Sequence, residues 1–176
     1  YPFLAKAALS VGSRQVRNRA TCIGNICNAS PLADTGTPLL ACDAVILAEG
    51  PDGRREIPIR DFFIFVRKTS LKPGEIVTAI RVPYIAGAEG VFTKVARRRE
   101  VDLSTVCATV LRCGGEFRFA FGSVAPTPLR LVKTEELVRG KKPDAALIEQ
   151  AVELARSEVA PISDVRASRE YRMDIV

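Results

Sequence analysis

Residues Arg17 to Ala44 read RNRATCIGNICNASPLADTGTPLLACDA. Gly24, Asn25, Asn28, Ser30, Pro31, Asp34, Thr35, Gly36, Thr37 and Pro38 crowd into this one stretch, and such a run is poor helix and poor strand by propensity. Two readings stand side by side. One is a capped, turn-rich connection; the other is a winding loop whose backbone N–H groups and short polar tips point inward, as proteins arrange them around pyrophosphates and sugar hydroxyls. Its last part, Thr37 to Asp43, has room for one or two helical turns.

Working outward, Pro2 to Val11 carries Leu4, Ala7, Ala8 and Val11 at helical spacing behind a proline suited to a first turn, so a short helix ends near Gly12. Val16 to Arg19 reads as an extended lead into the central stretch. Beyond it, Ala44 to Glu49 is a β-rich run, Gly50-Pro51-Asp52-Gly53 is a turn, and Arg54 to Ile59 alternates, which makes a hairpin. Phe62, Phe63 and Phe65 read as core. Glu75 to Val82 reads as a strand stopped by Pro83.

From Val91 the pattern lengthens. Phe92 to Arg98, Leu103 to Arg112 and Phe117 to Val124 alternate as three strands, the last two joined through Gly114-Gly115, so a three-stranded antiparallel sheet is expected. Arg130 to Val138 and Asp144 to Glu158 then repeat Leu, Val and Ala at helical intervals, giving two helices to cover one face of that sheet. Gly140 ends the first and Asp144 caps the second. A third helix begins near Ser168.

Composition bounds the functions. The chain has 176 residues, 47% of them hydrophobic, which is ample for a packed core. No apolar run approaches the length of a membrane span, so no membrane association is expected and the cytoplasm is the expected compartment. The balance is basic, with 26 Lys and Arg against 20 Asp and Glu. The runs Arg97-Arg98-Arg99 and Arg139, Lys141, Lys142 have no interleaved aromatic residues and no helix-turn-helix or zinc pattern beside them, so no nucleic-acid partner is expected. A solvated face, or a surface facing a cofactor phosphate, accounts for them. The five cysteines form no C-x-x-C pair and the chain holds 0 His, so no metal site is expected and the thiols read as small buried groups.

The order of residues in the opening stretch adds a more specific reading. Gln15-Val16-Arg17-Asn18, Ala20-Thr21, Gly24-Asn25-Ile26, Asn28-Ala29-Ser30-Pro31, Asp34 and Pro38-Leu39-Leu40-Ala41 resemble the second flavin-binding segment of the FAD-binding, or medium, subunit of the xanthine dehydrogenase and carbon monoxide dehydrogenase family of molybdenum hydroxylases. Asp61-Phe62-Phe63, Leu71 with Pro73, Glu75 and Ile76, and the closing Ser163-Asp164, Arg166, Ser168, Tyr171-Arg172 resemble later motifs of the same subunit, so the resemblance covers nearly the whole chain. It implies an α+β fold: residues 1–88 as the C-terminal part of an FAD-binding domain, and 89–176 as the flavoprotein C-terminal domain. Nothing here matches the Gly-Gly-Thr type loop of the family's preceding lobe. The resemblance therefore implies a chain that lacks that lobe.

Carried over by position, the resemblance implies that Thr21, Gly24, Asn25, Asn28, Ser30 and Asp34 line an FAD with hydroxyls, amides and a carboxylate. Val77 falls at an apolar position that touches the isoalloxazine ring, and Lys94 at a cation that faces it. No residue of this chain is implied to act as a catalytic group. The partners implied are an iron–sulfur subunit and a molybdenum-cofactor subunit, with NAD or another acceptor taking the electrons. One position departs from the pattern: Ile23 stands where the family has the first Gly of T-I-G-G-N. If that glycine served a positive φ or a close approach to the cofactor, a β-branched residue there strains the loop or weakens the flavin site. The alternative reading is then a non-catalytic assembly or interaction module that keeps the fold without FAD.

Overall fold

A computed structural model describes residues 1–99 and 101–176. Its middle element is a short helix whose every residue is buried, α4 (Gly36–Ala41), packed against the second of two antiparallel sheets. This is the last part of the polar stretch quoted above. Its Leu39, Leu40 and Ala41 supply apolar surface, and Thr37 Oγ1 spends its polarity on Thr109 Oγ1 of the second sheet at 2.9 Å. A buried hydroxyl so paired costs little, whereas an unpaired one would cost about 1 to 3 kcal/mol.

Three short helices precede it in the chain. α1 (Pro2–Leu9) starts on its proline and is closed beyond Ser10 by Gly12 at φ +52, a left-handed turn that suits glycine. α2 (Arg14–Arg17) replaces the expected extended piece, because the Ser13 hydroxyl accepts the Val16 N–H and starts a helical turn. α3 (Cys22–Cys27) lies inside the run that propensity argued against. There Thr21 Oγ1 accepts the Gly24 N–H at 2.9 Å, and Ile26 anchors the turn in the core at 1% exposure.

The first sheet, ordered β2-β1-β5, holds β1 (Val45–Gly50), β2 (Gly53–Pro58) and β5 (Ile76–Arg81). β1 and β2 form the expected hairpin, with Gly50 opposite Gly53. Between β2 and β5 come α5 (Ile59–Phe62) and a small hairpin of β3 (Phe63–Phe65) and β4 (Lys68–Thr69). Phe62 and Phe63 are buried as expected. Phe65 is not: it stands 56% exposed, on the same short strand whose Phe63 enters the core.

The second sheet has order β6-β7-β8-β9, from β6 (Glu89–Val95), β7 (Val106–Cys113), β8 (Glu116–Gly122) and β9 (Leu129–Arg130). The expected three strands are present, and β9 adds a fourth where a helix was expected to begin. Arg130 stays extended because Ala120 pairs with it and its guanidinium is held between Glu135 and Asp43. The helix α6 (Val132–Val138) therefore starts later. α7 (Ala145–Glu158) starts on Asp144, whose Oδ1 accepts the Leu147 N–H at 2.8 Å, and α8 (Arg169–Ile175) starts on Ser168.

Alternation along β7 sorts the layers. Cys107, Thr109 and Leu111 face α4 and join one large core with Phe3, Ile46, Phe62 and Phe92, while Val106 faces the other way and packs with Leu131 and Ala155 under α6 and α7. The second sheet thus carries α4 on one face and α6 and α7 on the other. Among the described residues no helix is long and apolar enough to cross a membrane, and no group of His, Cys, Asp or Glu could hold a metal ion.

Candidate functional site

A groove of about 810 Å³ runs along α3 and the segments on either side of it. Thr21, Gly24, Asn25 and Asn28 all line it, so the structure brings these four sequence-predicted residues together. The helix explains how. Thr21 caps it, Gly24 and Asn25 sit on its first turns, and Asn28 closes it. Gly24 keeps the wall low, since a Cβ there would come within 3.1 Å of Thr21 Oγ1, the atom that accepts the Gly24 N–H. Asn25 Oδ1 accepts the Thr35 hydroxyl at 2.6 Å, which leaves its amide N–H groups available as donors. Asn28 Oδ1 accepts from Arg67 of the β3–β4 hairpin.

Ile23 resolves the question raised by its position. It lies within α3 and neither it nor Gly24 has a positive φ, so the β-branched residue strains no backbone. It is also absent from the groove lining, which takes Cys22 and Gly24 on either side of it.

Asp34 and Lys94 meet each other. Lys94 Nζ donates to Asp34 Oδ2 at 2.7 Å, to the Ser10 carbonyl at 3.0 Å and to the Asp102 carbonyl at 2.9 Å. Asp34 also accepts from Ser10 Oγ at 3.1 Å and from Ser104 Oγ. The two side chains are 5% and 15% exposed, and every donor of the ammonium has an acceptor. Beside them the Cys107 thiol is pushed up to about 12 by burial first and by the charge of Asp34 second, so it stays neutral. Ser30 and Val77 stand elsewhere. Ser30 Oγ accepts the Leu32 N–H at 3.2 Å, and Val77 is half-buried on β5, the strand on which α3 rests.

A second cleft of about 460 Å³ adjoins the groove, sharing Leu9, Arg14 and Arg17 with it. Lys94, Arg98 and Arg99 line it, with Val101 and Asp102. Sequence reasoning missed Arg14, Arg17 and Arg19 as site residues. Their signal lay in the basic run that leads into the opening stretch, and it was hidden because Val16 to Arg19 read as a plain extended connection. Arg17 Nη1 is fixed by the carbonyls of Val11 and Gly12, both at 3.0 Å.

The residues present fit a flavin dinucleotide. The groove offers hydroxyl and amide tips, a glycine-lowered wall, apolar Leu9 and Val16, and arginines whose charge offsets a diphosphate.

Comparison with known proteins agrees with this reading of the chain. Residues 1–85 match the model of the FAD binding domain in molybdopterin dehydrogenase, and residues 92–176 match that of the CO dehydrogenase flavoprotein C-terminal domain. The xanthine dehydrogenase FAD-binding subunit of Escherichia coli O157:H7 is 36% identical over 185 residues, covering 99% of this chain and 62% of that protein. The carbon monoxide dehydrogenase medium chain of Hydrogenophaga pseudoflava is 34% identical over 176 residues, covering 97% and 61%. A solved structure of carbon monoxide dehydrogenase from the same organism superposes with a TM-score of 0.92 at 33% identity, over 99% of this chain and 62% of that one. The chain thus spans about three fifths of the length of these relatives. Matched along nearly all of its own length in both sequence and fold, it belongs to the family of FAD-binding medium subunits of the xanthine dehydrogenase and carbon monoxide dehydrogenase type.

Proposed function

We propose that this chain is the flavin-holding part of an electron-transfer subunit of a molybdenum hydroxylase. Electrons released by substrate oxidation at a molybdenum cofactor on one partner chain would pass through iron–sulfur clusters on another and leave through FAD to NAD or a different acceptor. The observation that carries the reading is the groove in which Thr21, Gly24, Asn25 and Asn28 converge beside Arg14, Arg17 and Arg19. FAD, when bound, supplies the redox chemistry that no side chain here can supply.

The chain's own residues bind and orient. Thr21 and Asn25 offer hydroxyl and amide contacts to ribityl and ribose oxygens, and Arg67, by donating to Asn28 Oδ1, restrains that side chain and leaves its amide N–H groups as donors. Arg14, Arg17 and Arg19 hold the diphosphate charge. Lys94 keeps a fixed positive charge in the wall of the adjoining cleft, where it favours negative charge gained on reduction. Asp34 holds that ammonium in place.

Isolation of the native protein from its source tests this. The expected preparation is yellow, with stoichiometric FAD, and carries iron and molybdenum on co-purifying chains. A monomer with no flavin, iron or molybdenum would overturn the proposal in favour of a non-catalytic interaction module.

A further inference from the structure

The loop between α7 and α8 is built to be rigid and yet holds apolar side chains out in water. Asp164 Oδ1 accepts the backbone N–H groups of Arg166 at 2.8 Å and Ala167 at 3.3 Å, and the Asp164 N–H donates back to the Ala167 carbonyl at 3.0 Å. Arg172, 2% exposed, clamps the turn from below. It donates to Asp164 at 2.8 Å and to the Ser123 carbonyl at 2.9 Å, which rivets the loop to the end of β8. From this frame Ile162 and Val165 project at 69% and 87% exposure.

Described residues of the neighbouring β6–β7 loop adjoin it. Arg97 Nη1 donates to the Val165 carbonyl at 3.3 Å and joins the two loops. Val101 and Leu103 are 54% and 49% exposed, and Val101 is held at φ +53, a left-handed conformation that β-branched residues avoid. Strain of this sort persists where the surroundings impose it, and it collects at functional surfaces. Among the described residues the exposed charge around the patch is mainly basic, with Glu170 the exposed carboxylate beside Arg169. The side chains of Arg97 and Arg98 are 52% and 68% exposed and Arg169 is exposed, whereas the carboxylate of Asp102 is turned inward at 5%. Arg98 and Val101 also line the cleft that adjoins the cofactor groove.

We infer that these two loops together form a docking surface for a partner protein chain that presents an apolar patch rimmed by carboxylates. This rests on the electron-transfer reading above, under which the partner is the chain that carries the iron–sulfur clusters. The surface borders the cleft that adjoins the cofactor groove, and electrons need a short path. Exposed apolar residues flanked by arginines is the arrangement in which the apolar part sets the lifetime of a complex and the charges set its rate of formation.

The test uses the native complex. Ile162→Asp with Val165→Asp changes two exposed side chains, so FAD content and melting temperature are expected to match the wild type while the hold on the iron–sulfur chain weakens by at least about tenfold. Arg97→Glu with Arg169→Glu is expected to slow association and to flatten its dependence on salt. Assembly of both variants with wild-type affinity and wild-type salt dependence overturns the assignment of this surface while leaving the flavin reading intact. So does a finding that the substitutions release a second copy of this chain instead. A wild-type preparation with no FAD and no iron–sulfur chain overturns the functional reading, and this surface falls with it.

Discussion

Lys94 illustrates what a single position gains from its neighbours. The sequence placed a cation there and the resemblance gave it a cofactor to face; only the fold adds that Asp34, Ser10 and Asp102 saturate its ammonium. Truncation therefore does more than delete a charge. Lys94→Met leaves the Asp34 carboxylate buried without its counter-charge and is expected to cost about 3 to 5 kcal/mol, read as a lower denaturant midpoint with an unchanged slope. This coupling was not legible in the chain, because Asp34 and Lys94 lie 60 residues apart and no local pattern pairs them. Glu75 is the opposite case, a residue whose environment is partly local. Arg55 grips it at 2.6 Å and the Lys72 N–H adds a second donor, so its carboxyl falls from 4.5 to about 2. A depressed pKa stabilises the fold above the unfolded value and loses that contribution as pH falls through the folded one. Melting temperature is thus expected to drop between about pH 4.5 and 2, and Arg55→Met should remove most of that slope.

At the scale of elements, the strands were the most legible part, because period-two alternation and Gly-rich turns are local signals that the fold obeyed in β1, β2, β7 and β8. The short helices were not. α2 and α3 are made from Arg, Gln, Val, Cys, Ile, Gly and Asn, and they exist because a hydroxyl just before each one caps its start, a local cause easily overlooked, and because the core receives Ile26, a tertiary one. β9 was missed for the same kind of cause: an ion-paired Arg130 kept two residues extended that periodicity assigned to a helix. Half of the site followed suit, since Thr21, Gly24, Asn25 and Asn28 converge only because α3 forms. Two substitutions separate cap from packing. Thr21→Ala is expected to lower stability by about 1 kcal/mol and to weaken FAD binding as the groove wall loosens. Ile23→Gly restores the family's glycine pair, yet it should cost about 1 kcal/mol of helix stability without tightening FAD, because Ile23 lies outside the groove lining. Thermal melting and flavin titration measure both.

The whole molecule is knit more tightly than its two-part sequence pattern implies. Residues on both sides of position 88 share one core, in which Phe3, Ile46 and Phe62 pack with Phe92, Cys107 and Leu111. Polar bonds cross the same line: Lys94 to Asp34, Thr37 to Thr109, Ser123 N–H to the Pro31 carbonyl, and Arg118 and Arg130 to Asp43, each at 2.9 Å for the last pair. Asp43 itself sits at φ +51 between α4 and β1, a conformation that aspartate tolerates, and it turns its carboxylate toward the second sheet. Close approach matters as well. A Cβ at Gly122 would meet Cys107 Sγ at 2.7 Å and the Pro31 carbonyl at 3.2 Å, so Gly122→Val should pry the opening stretch off β8 and disturb the groove from a distance. With that core drawn from both sides of position 88, neither half can keep its apolar surface covered alone. Calorimetry of the native chain is expected to show one transition with matching calorimetric and van't Hoff enthalpies, and the pieces 1–88 and 89–176 made separately should stay largely unfolded until mixed. Two resolved transitions, or a folded isolated half, would mean that α4 is a hinge between independent domains and that the Asp34–Lys94 pair merely fastens them.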